Sequence, residues 1–441
     1  MNVIELANKY IFGVGVPVLL ILSGIFYCIR LRAFHFLHPL KVIGCFRADK
    51  TRGGVSSAKA VSLALAGTLG VGNMVGVASA IALGGVGAVF WMWVSALVAM
   101  ILKYAEIVLA MCHRRFDKNG RPYGGATYYI LDLFKGGRVG RVLAGIFATL
   151  CILNAISVGG MIQVNAAANA VDGVFSLPPL AVGAVFAAIA LYAMRRGTGG
   201  IVGLTEKIVP FMTVVFVILS VAVICVRPDS AAEAVRSIFA NAFRIESGVG
   251  GVGGFLLSSA LRYGTMRGII SNEAGCGTAP AAHAVADCSS PARQGAWGIF
   301  EVFVDTILLC TLTALVIIIG GGSSEDFMMM TISSYTAVLG DYAGYMLSVA
   351  VVLFALATVL CWGHYGLESV RFLSGKRRYS VAFIALYTAL IALGSVVSPN
   401  AIWELADLAI GGMTVINLFV ILAMSREVKE ETEEYFGKKK Q

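Results

Sequence analysis

"GTLGVGNMVGVASAIALGG", Gly67 to Gly85, crowds Gly67, Gly70, Gly72 and Gly76 into one short segment of an apolar run. A helix in lipid has no water to satisfy freed backbone groups, and each one costs several kcal/mol unless protein or a water-filled cavity receives it. A run that weakens itself at that depth reads as a broken helix lining a cavity. Two other readings compete with it. Gly72 and Gly76 form G-x-x-x-G, a pattern of close helix contact. "GVGNMVG" looks superficially like a dinucleotide loop, but it has one residue too many before the last glycine and no strand ahead of it.

The chain around this segment is apolar. Of 441 residues, 58% are hydrophobic and 13% charged, against roughly 25% charged in an average soluble domain. This predicts an all-α polytopic membrane protein. Stretches long enough to span number about eleven, near 10–29, 61–83, 87–112, 142–171, 178–194, 208–226, 249–275, 295–320, 343–372, 379–397 and 402–424. The first lacks a basic region ahead and a small-residue cleavage site behind, so it is expected to be retained. No domain linker is visible, and the charged tail 425–441 is expected to be a solvated helix end or partly disordered. The nine cysteines stand singly, without a C-x-x-C pair. They predict small apolar filler and not a zinc site or a disulfide framework.

A net charge of +9 would point to nucleic acid in a soluble protein. Here the basic residues cluster between apolar runs, so no nucleic-acid partner is expected and lipid surrounds the chain. Loop 30–60 carries Arg30, Arg32, Lys41 and Lys59, and loop 113–141 carries Arg114, Arg115, Lys135 and Arg138, whereas 321–342 holds Glu325, Asp326 and Asp341 without Lys or Arg. Positive loops stay inside. The expected topology has the N-terminus outside and the C-terminus cytoplasmic, in a plasma or bacterial inner membrane, with Cys45 protected from outside thiol reagents.

A second glycine-rich opening, "SGVGGVGGFLLSSALRYG" from Ser247 to Gly264, begins the seventh stretch. With the first helix set aside, ten spans remain, and the two glycine-rich ones fall first in each half of five. Interrupted spans at equivalent positions are the pattern of an inverted-repeat transporter, whose broken helices offer amides and carbonyls at the membrane midplane.

The quoted run extended as "SLALAGTLGVGNMVGVASAIALGGVGAVFWMW", with "KYAE" (103–106), "GGATYYI" (124–130), "RGIISNEAGCGTAPAAHAVAD" (267–287) and "FVDTILLCTLTAL" (303–315), resembles the alanine/glycine:cation symporter family. The matching blocks run from about residue 60 to 370. The resemblance implies a leucine-transporter (LeuT) type 5+5 inverted repeat with one extra N-terminal helix: 10–29 extra, 61–226 the first repeat, 249–424 the second. It implies sodium-coupled uptake of small neutral amino acids, chiefly alanine and glycine, by alternating access. No catalysis and no tightly bound cofactor are expected, and Na+ is the coupling ion. A proton-coupled carrier and a non-transporting amino-acid sensor on the same fold stay open as alternatives.

The resemblance assigns roles by position. Amides near Gly70, Val71, Gly72 and Asn73 face the substrate carboxylate, since the positive end of a half-helix favours an anion. Carbonyls of Ala66 and Leu69 are hard donors for sodium, and Thr68, placed among the substrate-binding residues, can add a hydroxyl whose ordinary alternative is a back-bond to the preceding turn. Gly253 and Gly254 mark the second break, beside Val252 where the family commonly has an aromatic residue. Gln163 matches a Gln-x-Asn element, and Gly160 stands where the family often has Asn. Thr358 and Trp362, four apart and so on one helix face, supply a sodium ligand and a pocket wall against large side chains. Ala357 takes the place of a second hydroxyl and is a possible lost ligand. Intramembrane charges are costly and usually paired or functional. Lys103 and Glu106 are expected to pair with each other or with a neighbouring helix. Asn272, Glu273, Asp305 and Glu368 are assigned structural or gating roles, and His283 and His364 are expected to be satisfied helix-end residues.

Overall fold

The computed structural model describes residues 15–46, 55–243, 259–397 and 400–437. Described helix falls within each of the eleven apolar stretches. Among the described residues, six helices are long and apolar enough to cross a membrane: Ala88–Cys112, Arg138–Phe175, Thr198–Val226, Pro291–Gly320, Asp341–Leu373 and Leu405–Ala423. Ser57–Thr68 and Gly72–Gly84 make a seventh as a pair bent by 50°. Val16–Arg30, Pro179–Arg195 and Phe327–Leu339 are apolar but shorter. The protein is a multi-pass helical membrane protein.

Burial orders these helices. Most of the apolar part of Ala88–Cys112 is enclosed by protein (83%), whereas Thr198–Val226 is enclosed over only 33%, leaving much of its surface for lipid. A helix apolar on every side belongs in such a centre. Small residues allow the close approach that membrane packing requires. A Cβ on Gly264 would fall 2.1 Å from the Ala88 carbonyl oxygen, and one on Gly298 would fall 2.5 Å from Ile107. Helices Ser259–Asn272 and Pro291–Val302 thus clasp the central helix through glycine. The opening pair behaves differently, because no described residue comes within 4 Å of a Cβ on Gly72 or Gly76. Among the described residues, the contact-face reading of that G-x-x-x-G finds no partner.

The basic loops are more ordered than their composition implies. Loop 30–60 contains helices Phe34–Leu37 and Pro39–Gly44, and loop 113–141 forms a short hairpin, Arg115–Phe116 with Pro122–Tyr123, followed by helix Ala126–Leu133. The charged tail takes the expected form of a helix end, but one face of it is docked and not solvated. Ser425–Gly437 is a helix with Val428 and Thr432 buried, and Thr432 exchanges a 2.7 Å hydrogen bond with the Tyr104 hydroxyl. His113 joins the tail to the hairpin region, 2.8 Å from Asp132 and 3.0 Å from Glu427. Cys45 is buried and Cys225 exposed, so protection of Cys45 would report burial as much as sidedness.

Candidate functional site

Helix Ser57–Thr68 ends at Leu69, whose φ of −77° and ψ of 70° leave helical space. Gly70 N–H then donates to the Thr68 carbonyl at 2.9 Å, so the α-helical bond back to Ala66 is not made. The chain resumes through a π-helical turn, Gly72–Gly76, before returning to α-helix. Such π segments recur at functional sites because they release backbone groups and redirect side chains. Two more, Ser157–Met161 and Phe303–Cys310, interrupt other helices of the bundle. Residues on or beside all three meet around the break.

On one side of the break, Gln163 Oε1 accepts the Val71 N–H at 3.0 Å while its Nε2 donates to the Val158 carbonyl at 3.1 Å. A Cβ on Gly70 would lie 2.6 Å from Thr358 Oγ1 and 2.8 Å from Gln163 Oε1. Glycine at 70 is therefore required by the approach of two polar side chains from distant helices. Thr358 donates to the Phe354 carbonyl at 3.0 Å, leaving its oxygen toward Gly70. Thr68 Oγ1 is buried and makes no hydrogen bond among the described residues, so the back-bond alternative is not taken. Ala357 is buried beside Thr358. At Gly160 an added Cβ would meet Ile391 at 2.8 Å, so Ile391 occupies the room that an Asn side chain would need.

On the other side, the Asn73 side chain turns to Asp305. Its Nδ2 donates to Asp305 Oδ1 at 2.7 Å, and Ser271 and Thr306 hydroxyls donate to Asp305 Oδ2, each at 2.7 Å. The carboxylate is wholly buried and its three side-chain donors are all neutral. Asn73 Oδ1 is buried without a hydrogen bond among the described residues. Asp305 thus belongs to the same polar centre as the broken helix, and Ser271 and Thr306, unassigned from the sequence, complete it.

Lys103 and Glu106 do not pair with each other. Lys103 Nζ lies 3.5 Å from Glu301 and donates to the Asn272 carbonyl at 2.8 Å. Glu106 accepts the Gly277 N–H at 2.9 Å and the side-chain amide of Asn417. His283 bonds to Glu301 and lies 2.8 Å from the Gln294 amide. Asn272 caps the turn after its helix by accepting the Ala274 N–H at 3.0 Å, and donates to Thr306 at 3.1 Å. Glu273 follows it, accepting the Thr278 hydroxyl at 2.7 Å and the Trp362 indole N–H at 3.2 Å. Glu368 stands apart, 2.5 Å from Arg371 and 4.0 Å from His364. Val252, Gly253 and Gly254 lie outside the described residues.

Outside the membrane spans, the His113 ring is partly buried, which disfavours its charged form. Hydrogen bonds and charge from Glu427 and Asp132 outweigh that and hold its pKa above the ordinary histidine value. Burial would raise Asp132, but Arg115, at 2.6 Å, and His113 hold it below the usual carboxylate range.

The family model described as the sodium:alanine symporter family matches residues 1–441. A sodium/alanine symporter, AgcS of Methanococcus maripaludis, is 35% identical over 99% of this chain and 97% of its own length. The probable sodium/glutamine symporter GlnT of Bacillus subtilis is 30% identical over 100% of this chain and 91% of its own. Among solved structures, a Na+-coupled sialic acid symporter in a substrate-bound outward-open state superposes with a TM-score of 0.60 at 12% identity, covering 95% of this chain and 87% of that one. That likeness shows a shared fold. The chain belongs to the sodium:alanine symporter family.

Proposed function

We propose that this protein is a secondary active transporter that takes up small neutral amino acids, alanine and glycine, together with Na+. The observation that carries the reading is the break at Leu69–Val71, where Gln163 and Thr358 converge on Gly70 inside a buried polar centre. Amides of Gly70, Val71, Gly72 and Asn73 receive the substrate carboxylate, and Gln163 yields its bond to Val71 as substrate enters. Val252, Gly253 and Gly254, which lie outside the described residues, are assigned to the substrate site by the resemblance alone. Trp362 closes the pocket to large side chains.

Sodium takes oxygen ligands from Ala66, Leu69, Thr358 and Thr68. Thr68 supports this assignment, being a buried hydroxyl without a hydrogen-bond partner among the described residues. Asp305 supports cation coupling in a second way. A buried carboxylate bonded only to neutral donors is costly unless a cation or a proton balances it, and the oxygens of Asp305, Ser271, Thr306 and Asn73 form a hard donor set for Na+. The relatives named for alanine and for glutamine support amino-acid substrates generally.

The reading places the chain in a 5+5 inverted repeat of eleven spans, with 61–226 and 249–424 as the repeats, 10–29 as the extra helix, and 425–441 as a cytoplasmic tail. The N-terminus lies outside, supported by the basic loops 30–60 and 113–141. Lys103, Glu106, Asn272, Glu273 and Glu368 act structurally or in gating. The test is a competition panel of small neutral amino acids against labelled alanine, run with and without sodium. Alanine and glycine are expected to compete best, and only with sodium. Stronger competition by larger side chains overturns the substrate, and indifference to sodium overturns the ion.

A further inference from the structure

Glu273 is a glutamate where the backbone would accept glycine more easily. Its φ is +53°, and Gly275 and Gly277 in the same turn take φ of +84° and +78°. An L-residue held in the left-handed region needs its surroundings to keep it there. The side chain supplies that hold, with Oε2 accepting from Thr278 and Oε1 accepting from the Trp362 indole N–H across 89 residues of sequence. Trp362 is wholly buried and fixed on two further faces. A Cβ on Gly159 would lie 2.1 Å from Trp362 Cγ, so the π-helical turn Ser157–Met161 lies flush against the ring, and Tyr365 meets it edge-on at 5.5 Å. Glu273 holds the polar edge of the indole, the one point on it where direction rather than contact is set.

We infer that Glu273 is a positioning residue that fixes the orientation of Trp362 and thereby sets the side-chain size the pocket admits. Trp362 is one helical turn from Thr358, whose oxygen faces Gly70, so a rotation of the ring moves the wall next to the break. The same carboxylate ties that wall to Thr278, so the turn after helix Ser259–Asn272 and the pocket wall are linked through one side chain. This inference rests on Trp362 being the pocket wall of the transport reading above.

The experiment uses the full chain in proteoliposomes, with size exclusion to establish that each variant is folded. Uptake of labelled alanine is competed with alanine and leucine in wild type, Glu273→Gln, Glu273→Ala, Trp362→Phe and the double Glu273→Ala/Trp362→Phe. Discrimination of alanine over leucine is expected to fall about tenfold in Glu273→Ala and in Trp362→Phe, the scale of a loosened apolar pocket. The double variant is expected to fall no further, because both changes remove one link. Glu273→Gln, whose amide oxygen still accepts the indole N–H, is expected to retain most of the discrimination. If Glu273→Ala does not fold, Glu273→Met, which fills the same space without an acceptor for the indole N–H, takes its place in the single and the double variant. Unchanged discrimination in Glu273→Ala or Trp362→Phe, or additive losses in the double variant, overturns the inference. Wild-type protein that takes up no alanine overturns the transport reading instead.

Discussion

Gly70→Ala tests the convergence at the break. The added Cβ would lie 2.6 Å from Thr358 Oγ1, 2.8 Å from Gln163 Oε1 and 3.3 Å from Gln163 Cδ. Thr358 is anchored to the Phe354 carbonyl, so the side chain that must retreat is Gln163. Its retreat strands the buried Val71 N–H, a loss of about 1–3 kcal/mol, and residual overpacking adds about 1–3 kcal/mol. The sum, on the order of 3 kcal/mol, weighs on the substrate-free fold and lowers its melting temperature; because substrate itself takes the Val71 N–H, affinity falls by the overpacking share alone, about 1–3 kcal/mol or roughly 5- to 150-fold. The reference is Gly203→Ala, inside helix Thr198–Val226 with no described residue within 4 Å of the new Cβ, where alanine is expected to be neutral or stabilising by up to about 1 kcal/mol. The assay is alanine binding to purified protein, with thermal unfolding measured in parallel. Gly70→Ala with wild-type affinity and melting temperature would refute the reasoning.

Asp305→Asn removes the buried charge while keeping its shape, so the sodium concentration for half-maximal uptake is expected to rise at least about tenfold; an unchanged sodium curve would count against Asp305 as part of the cation's environment. Lys103→Met leaves Glu301 buried without its lysine, a destabilisation of about 3–5 kcal/mol, and Lys103→Met/Glu301→Gln is expected to recover part of it in the same melt; a single variant as stable as wild type refutes the pairing. The His113 link has a raised pKa and so is fully present below pH ~6.5 and lost as pH rises through the raised value. The protection factors of residues 425–437, taken after correction for the intrinsic pH dependence of amide exchange, are therefore expected to fall toward alkaline pH, and His113→Gln to remove that fall; protection factors that do not change with pH in wild type contradict it. An impermeant thiol reagent applied outside intact cells is expected to label Cys225 and leave Cys45 unlabelled; the reverse pattern overturns the topology.

The break was legible because glycine density in an apolar run has few physical explanations, and the structure bends the chain there by 50°. Gln163 and Thr358 were legible through resemblance, yet their meeting at Gly70 was not, since nothing local in sequence reports which side chain reaches across a bundle. Asp305 shows the same limit. Its bonds to Asn73 and Ser271 cross 232 and 34 residues, and the π-helical turns that aim these side chains have no sequence signature of their own. Lys103 and Glu106, three apart, left two partners open, each other or a neighbouring helix. The second holds, with Glu301 and Asn417 as partners, because the helix that carries them is mostly enclosed by others. The tail was legible as a helix end but not as a docked one, although Val428 and Thr432, four apart, already marked the face that docks.

The central claim is that a sodium gradient drives alanine across the membrane. The most direct measurement is accumulation of labelled alanine in proteoliposomes with sodium outside, choline inside, equal pH on both sides and no membrane potential. Accumulation above the external concentration, abolished when external sodium is replaced by choline, is the predicted result. Equal uptake with choline outside contradicts it.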